Sequence, residues 1–171
     1  MLVSIDPGKS GAYAVFSDEG ELVQTWKVKV PNRQRFFSVE QLDQMDNILM
    51  SDCSGVHLTV VMEGLLDRHM PQQSAIAINT TAVNWGIQYG NWINYTDEVQ
   101  IVRPVTWKTK LGLSGKDKSA SVELARELVD PAFLRKARMR VDNVDIAEAI
   151  LIGIYYGEKQ LSWGRYPLPQ K

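Results

Sequence analysis

Apolar residues recur along this chain with two alternating periods. Three short β-like runs come first, at residues 1–6, 12–17 and 22–29. They are separated by Pro7-Gly8-Lys9-Ser10-Gly11 and by Asp18-Glu19-Gly20-Glu21, turn-forming stretches in which proline fixes φ and glycine accepts positive φ. Turns this tight predict an antiparallel meander. After a loop at 31–35, Ser38 and Gln41 stand in capping-box positions. Val39, Leu42, Met45, Ile48 and Leu49 then repeat at helical spacing, predicting a helix over 38–50. An apolar strand at 58–62 ends in Glu63-Gly64. A long helix is predicted over 71–92, with Ala75, Ile78, Ala82, Trp85, Tyr89 and Trp92 along one side. A fifth strand at 99–102 stops at Pro104, and helices follow at 105–111, 117–129 and 141–156. Residues 160–171 lack periodicity, contain Pro167 and Pro169, and read as a tail. The order βββ-α-β-α-β-α-α-α implies an α/β fold: a five-stranded mixed sheet flanked by helices, in one domain over 1–159.

Bulk composition narrows the class without naming a chemistry. The chain has 171 residues, 44% hydrophobic and 23% charged, within the range of one water-soluble domain. A single cysteine, Cys53, excludes an intrachain disulfide, and there is no Cys/His cluster of zinc type. No apolar run reaches the roughly 18 residues of a membrane span, and no basic segment precedes an apolar core at the N-terminus. The expectation is a cytoplasmic protein without membrane partners. Net charge is −1, yet residues 103–140 hold ten of the nineteen Lys and Arg and only four acids. Positive charge clustered in a near-neutral chain suggests a local polyanion-binding face, or else solvated helix surfaces.

Four acids fall where elements end. Asp6 closes the first strand and Glu63 the fourth, while Asp142 and Asp145 open the last helix with i, i+3 spacing, which places them on one helical face. If the first and fourth strands are neighbours, Asp6 and Glu63 lie side by side. The last helix, packed there, adds the other two. Carboxylates about 5 Å apart repel by about 3 kcal/mol per pair at an effective dielectric of about 20. Such a group needs cations or shifted pKa values. Oxygen ligands without His or Cys favour Mg²⁺ or Mn²⁺, and two such ions suit in-line phosphoryl displacement. Taken singly, Asp142 also reads as an N-cap and Asp145 as a first-turn acid favoured by the helix dipole. Glu148 continues the i+3 series and reads as solvent-facing or as support for the site rather than as a ligand.

These pieces carry a resemblance. Ile5-Asp6-Pro7-Gly8 with Ser10-Gly11, Val61-Met62-Glu63-Gly64, Pro104-Val105-Thr106-Trp107-Lys108 with Gly115-Lys116-Asp117-Lys118, and Asp142-Asn143-Val144-Asp145-Ile146-Ala147-Glu148-Ala149 occur in the order found in RuvC-type Holliday junction resolvases. The chain resembles the form of these RNase H-like enzymes found in phages and other viruses. The resemblance implies a homodimeric endodeoxyribonuclease that resolves four-way or other branched DNA. It also implies Mg²⁺ or Mn²⁺, two per site, held by Asp6, Glu63, Asp142 and Asp145, with Lys108 and Lys118 as catalytic lysines. The products implied are a 5′-phosphate and a 3′-hydroxyl, and a phage-encoded enzyme would work in the host cytoplasm. Cellular members place a base-stacking aromatic soon after the glutamate. Here Gly64-Leu65-Leu66 stands in that region, with Leu66 as a candidate apolar wedge.

Further candidate DNA contacts are Lys9, Arg33, Arg35, Arg68, Lys116, Arg138 and Arg140. Phe36 and Phe37 either stack on bases beside Arg33 and Arg35 or staple the following helix to the core. Trp85, Tyr89 and Trp92 read as core packing, with part of that helix turned to a partner subunit. Three rival readings differ in class. One is an RNase H-like nuclease acting on flaps or hybrids. Another is a non-catalytic junction-binding protein. The third is an actin-like kinase, which needs a second phosphate loop and a second lobe that this length does not hold.

Overall fold

Strand β1 (Leu2–Asp6) is the axis on which the other elements are arranged. The computed structural model describes residues 1–8, 11–28, 34–38, 40–43, 47, 57–65, 74–96, 99–135 and 142–168. All five residues of β1 and of β2 (Ala12–Phe16) are buried, as are the middle residues of β4 (Thr59–Glu63). With β3 (Leu22–Lys27) and β5 (Val99–Val102) they form one sheet in the order β3-β2-β1-β4-β5. The first three strands are antiparallel, as their short turns require, whereas β4 pairs parallel with β1, and β5 parallel with β4. The expected five-stranded mixed sheet flanked by helices is the observed fold.

Residues on alternate sides of each strand build two apolar layers. Val3, Ile5, Tyr13, Val60 and Met62 meet Trp92 and Phe37 on one face. That face is covered by α2 (Ala75–Trp92), and Leu42 of α1, whose described part is residues 40–43, packs against the same layer. Phe37 is therefore the core staple, while Phe36 is 38% exposed. The capping-box contact is present in that segment: the Ser38 N–H donates to Gln41 Oε1 at 2.8 Å. On the other face Leu2, Ala12, Ala14, Phe16 and Val61 meet α3 (Pro104–Lys110), α4 (Lys118–Leu128) and α5 (Val144–Tyr156).

Helix α5 is buried along nine consecutive residues, Ile146–Ile154. Small residues let it lie close to the sheet. The Ser4 hydroxyl donates to the Ala149 carbonyl at 2.7 Å, and a Cβ placed on Gly153 would stand 2.3 Å from the Phe16 ring and 2.6 Å from Ser4 Oγ. Two boundaries differ from expectation. The last helix begins at Val144, because Asn143, not Asp142, is its N-cap: Asn143 Oδ1 accepts from the N–H groups of Asp145 and Ile146. The expected tail at 160–171 is instead folded back through residue 168. A π-helical turn (Gly157–Leu161) extends α5, and Ser162 then turns at φ 54°. Glu158 accepts from the N–H groups of Gly164, Arg165 and Tyr166, which brings Trp163 against Phe16 and the Tyr166 hydroxyl onto the Gly20 carbonyl. No helix among the described residues is long and apolar enough to cross a membrane.

Because the α5–sheet contact leaves no room for a side chain at Gly153, Gly153→Ala is expected to destabilise the fold by about 1–3 kcal/mol through overpacking. Urea unfolding of the two proteins measures it, and an unchanged midpoint would contradict the contact.

Candidate active site

One cross-strand rung of the sheet carries the site. Lys27 pairs with Ala12 and Ala12 with Asp6. Ile5 pairs with Met62, so Glu63 lies one step on, beside Asp6, and Glu63 pairs in turn with Val102. Lys27, Ala12, Asp6, Glu63 and Val102 face α5, and Ile5 and Met62 the α2 side. Lys27 is on that side because a register shift at Val15/Phe16 pairs Phe16 with Leu22 and Val15 with Gln24, leaving Val23 as the extra residue. From there Thr25 and Lys27 point to the α5 face, where the Thr25 hydroxyl donates to the Phe133 carbonyl at 2.6 Å. Ala12, between Lys27 and Asp6, is too small to separate them from the helix above.

Helix α5 supplies two more acids. Ala149 sits over Ser4, so residues one turn nearer the helix start overlie the end of β1. Asp145 and Glu148, spaced i, i+3 inside the helix, are thereby brought to the rung. Asp145 is ion-paired with Lys27, whose ammonium also donates to Asn143 Oδ1 at 3.4 Å. Glu148 is buried, and its Oε1 accepts from Lys108 Nζ at 2.9 Å and from the Ser121 hydroxyl at 3.2 Å.

The electrostatics follow from this crowding. Burial pushes the Asp6 carboxyl well above the usual carboxylate range, and the charges of Glu63, Glu148 and Asp145 push it further; a hydrogen bond from the Gly8 N–H opposes them. Burial also raises Glu63, against the Trp107 indole N–H that donates to its Oε1 at 2.9 Å and the charge of Lys108. The Glu63 carbonyl accepts from Trp85 Nε1 at 2.8 Å, so both ends of this residue are fixed by indoles. Helix α3 makes the Trp107 contact possible: Pro104 at its start turns the chain straight out of β5, and Trp107, fully buried, then lies under Glu63. Lys108 Nζ stands 4.9 Å from the Trp107 ring centroid. Below the rung, the Tyr13 hydroxyl donates to Gln88 Oε1 at 2.5 Å, and Gln88 Nε2 donates to the Pro7 carbonyl at 2.9 Å, holding the turn after Asp6.

The predicted residues divide accordingly. Asp6, Glu63, Asp145 and Lys108 are brought together. Lys118 opens α4 behind its N-cap Asp117, exposed, near enough that its charge lowers Glu63. Asp142 is not in the group. It lies before the helix rather than in it, bridges to Arg135, and its carboxylate accepts from Arg126 Nε at 2.5 Å and Arg135 Nε at 3.1 Å, which hold it below the usual range. The i, i+3 relation to Asp145 therefore does not place it on a shared helical face; Glu148 stands where Asp142 was expected. Arg35 and Lys116 are exposed and away from these contacts. Lys9, Arg33, Leu66, Arg68, Arg138 and Arg140 lie outside the described residues. Lys27 and Trp107 are the participants that sequence reasoning missed, and the one it placed too far out, as solvent-facing or as support for the site, is the buried Glu148. The alternation of Glu148 with Ala147 and Ala149, in a helix buried throughout, was the available signal for the last.

The donors are all oxygen, which suits a hard divalent cation, and a buried acid beside three others calls for positive charge. Among the described residues no three such groups stand placed to hold a metal ion, and lysines are paired with two of the acids.

Comparison with solved structures identifies the architecture. Thermus thermophilus RuvC in complex with a Holliday junction substrate superposes with a TM-score of 0.63 at 16% identity, covering 98% of each chain. The fold is that of RuvC. A second Thermus thermophilus RuvC structure gives a TM-score of 0.55 at 15% identity over 98% of this chain and 99% of that one. The yeast mitochondrial Holliday junction resolvase gives 0.50 at 15% over 95% and 78%. No family model and no curated protein matches the sequence. The likeness in fold therefore extends over nearly the whole chain at very low identity.

A pH dependence follows for the fold itself. The Asp6 carboxyl titrates higher in the folded chain than in the unfolded one, so the stability linked to it is full below the ordinary value of 3.8 and is lost as pH rises through the raised one. At pH 7 without divalent ions this buried carboxyl therefore weighs against the fold, whether through its charge or through the cost of keeping it protonated. Asp6→Asn is therefore expected to raise the urea midpoint at pH 7, with the gain shrinking as pH falls toward the carboxylate range. A lowered midpoint at pH 7 would contradict this.

Proposed function

We propose that this protein is a metal-dependent, structure-selective endonuclease that resolves four-way or other branched DNA junctions. The observation that carries the reading is the rung: Asp6 and Glu63 at the ends of adjacent parallel strands, met by Asp145 and Glu148 from one helix. The RuvC fold supports it, since one of the similar structures is a RuvC bound to a Holliday junction substrate and another is a mitochondrial Holliday junction resolvase. Both are cellular proteins; the viral form rests on the sequence motifs alone.

In this reading Asp6, Glu63, Asp145 and Glu148 hold Mg²⁺ or Mn²⁺, two per site, with Lys27 and Lys108 as the cations that balance Asp145 and Glu148 otherwise. A metal held by these residues would supply an activated water and offset charge on the leaving oxygen; in-line attack by that water at phosphorus, with the bond to the 3′-oxygen breaking, would give a 5′-phosphate and a 3′-hydroxyl. The chain's own residues do the rest. Trp107 and Trp85 fix Glu63, and the Tyr13–Gln88–Pro7 contacts fix the turn beside Asp6. Lys108 and Lys118 stand at the rim, where they stabilise negative charge on the phosphate. A homodimer would present two such sites to the opposed strands of a junction. Ile76 and Val83, exposed and seven residues apart on α2, supply an apolar face that suits that pairing.

The test is cleavage of a synthetic four-way junction in Mg²⁺ or Mn²⁺, abolished by EDTA. Glu148→Gln is expected to lower the single-turnover rate at least about a hundred-fold, whereas Asp142→Asn leaves it within a few-fold. The reverse ranking would return Asp142 to the site. Uncut junction in both metals, from folded wild-type protein, would defeat the proposal.

A further inference from the structure

The cationic window at 103–140 does not all serve the site. Lys108 and Lys118 face the acids, and Arg126 and Arg135 are engaged with Asp142. Arg103 and Lys110 instead flank two adjoining hollows on the opposite side of α3, and Lys159 of the π-helical turn joins them. The hollows measure about 480 and 390 Å³ and share Thr106 and Tyr155. One runs along β5, the edge strand of the sheet, to Tyr156 and Gln160; the other crosses α3 at Thr109. Among the described residues no Asp or Glu lines either of them. Glu158, the nearest acid in that turn, is directed to the backbone of 164–166.

Three cations, two threonines and two tyrosines along one trough, with no acid among its described lining residues, are the side-chain types that contact phosphates. The trough begins at Val102 and Arg103, just beyond the rung that ends in Glu63–Val102, and runs down the flank toward the far end of α5. Since α3 carries Lys108 and Trp107 on its site side and Thr106, Thr109 and Lys110 on this one, positive charge continues from the site around the helix. We propose that this trough is a second nucleic-acid track, holding one phosphodiester strand of a DNA arm that leaves the cleavage site. The inference rests on the junction-nuclease reading and adds to it a contact that reads backbone rather than sequence. An arm held there fixes the angle at which a branched substrate enters the site, which a linear duplex too short to reach the trough cannot exploit.

Binding of a labelled four-way junction by fluorescence anisotropy in EDTA, across a salt series, tests it. Lys110→Ala/Lys159→Ala is expected to weaken junction binding about tenfold near 0.1 M salt and to reduce the slope of log affinity against log salt by about 2, close to one counterion per lost phosphate contact. Lys110→Arg/Lys159→Arg should restore both. Binding of a short linear duplex, and the single-turnover cleavage rate at saturating protein, should be unchanged, which separates loss of the track from damage to the site. Junction binding with wild-type affinity and slope in the alanine pair would overturn the track alone. The same result combined with loss of poly-glutamate binding would overturn it in favour of an acidic protein partner. Wild-type protein that binds no branched DNA would overturn the junction-nuclease reading, and the track with it.

Discussion

A carboxylate buried in the middle of a sheet, with three others around it, is the constraint to which much of this molecule answers. Asp6 is 8% exposed and shares its surroundings with Glu63, Glu148 and Asp145. Like charges so placed oppose folding unless something compensates them. The compensation is visible in the neighbours. Lys27 is set against Asp145, Lys108 against Glu148, and an indole N–H against Glu63. Among the described residues the Gly8 N–H is what opposes the rise at Asp6, whose carboxyl burial and its acid neighbours push well above the usual range. An acid group so poised suits the divalent cation that the proposed function assigns to it.

The same constraint explains the close packing of α5. The helix must bring two acids within reach of a strand end while burying nearly all of its length. Alanines at 12, 14, 147 and 149 and glycine at 153 bring it down onto β1 and β2, and the Ser4 hydroxyl satisfies a carbonyl along the way. Larger residues at those positions would lift the helix and carry Asp145 and Glu148 off the rung. Core packing and site geometry are therefore one property here. The fold shared with RuvC at 15–16% identity is thus compatible with a largely different set of side chains.

Much was legible in advance, for a physical reason. Periodicity depends only on local sequence, so the five strands, the long helix and the closing helix stood out, with boundaries off by one to four residues. Asp6 and Glu63 could be paired only on the condition that the strands they end are neighbours, which the sheet order meets. The folded-back segment at 162–168 could not be seen that way. It has no period, and it is held by Glu158 contacts and by Trp163 packing on residues far away in the chain.

The sequence by itself determined the strand-end acids, the helix that would meet them and the mixed sheet, since these follow from alternation, turn residues and short connections. The tertiary structure alone decided which acids and cations share the site. Asn143 rather than Asp142 caps α5, which moves the i, i+3 pair from 142/145 to 145/148. One extra residue at Val23 reverses the facing of Lys27, which plain alternation from Leu22 would assign to the α2 side. In both cases a shift of a single position redirects a charged side chain, and where the shift falls is settled by long-range hydrogen bonding and packing, not by the local pattern.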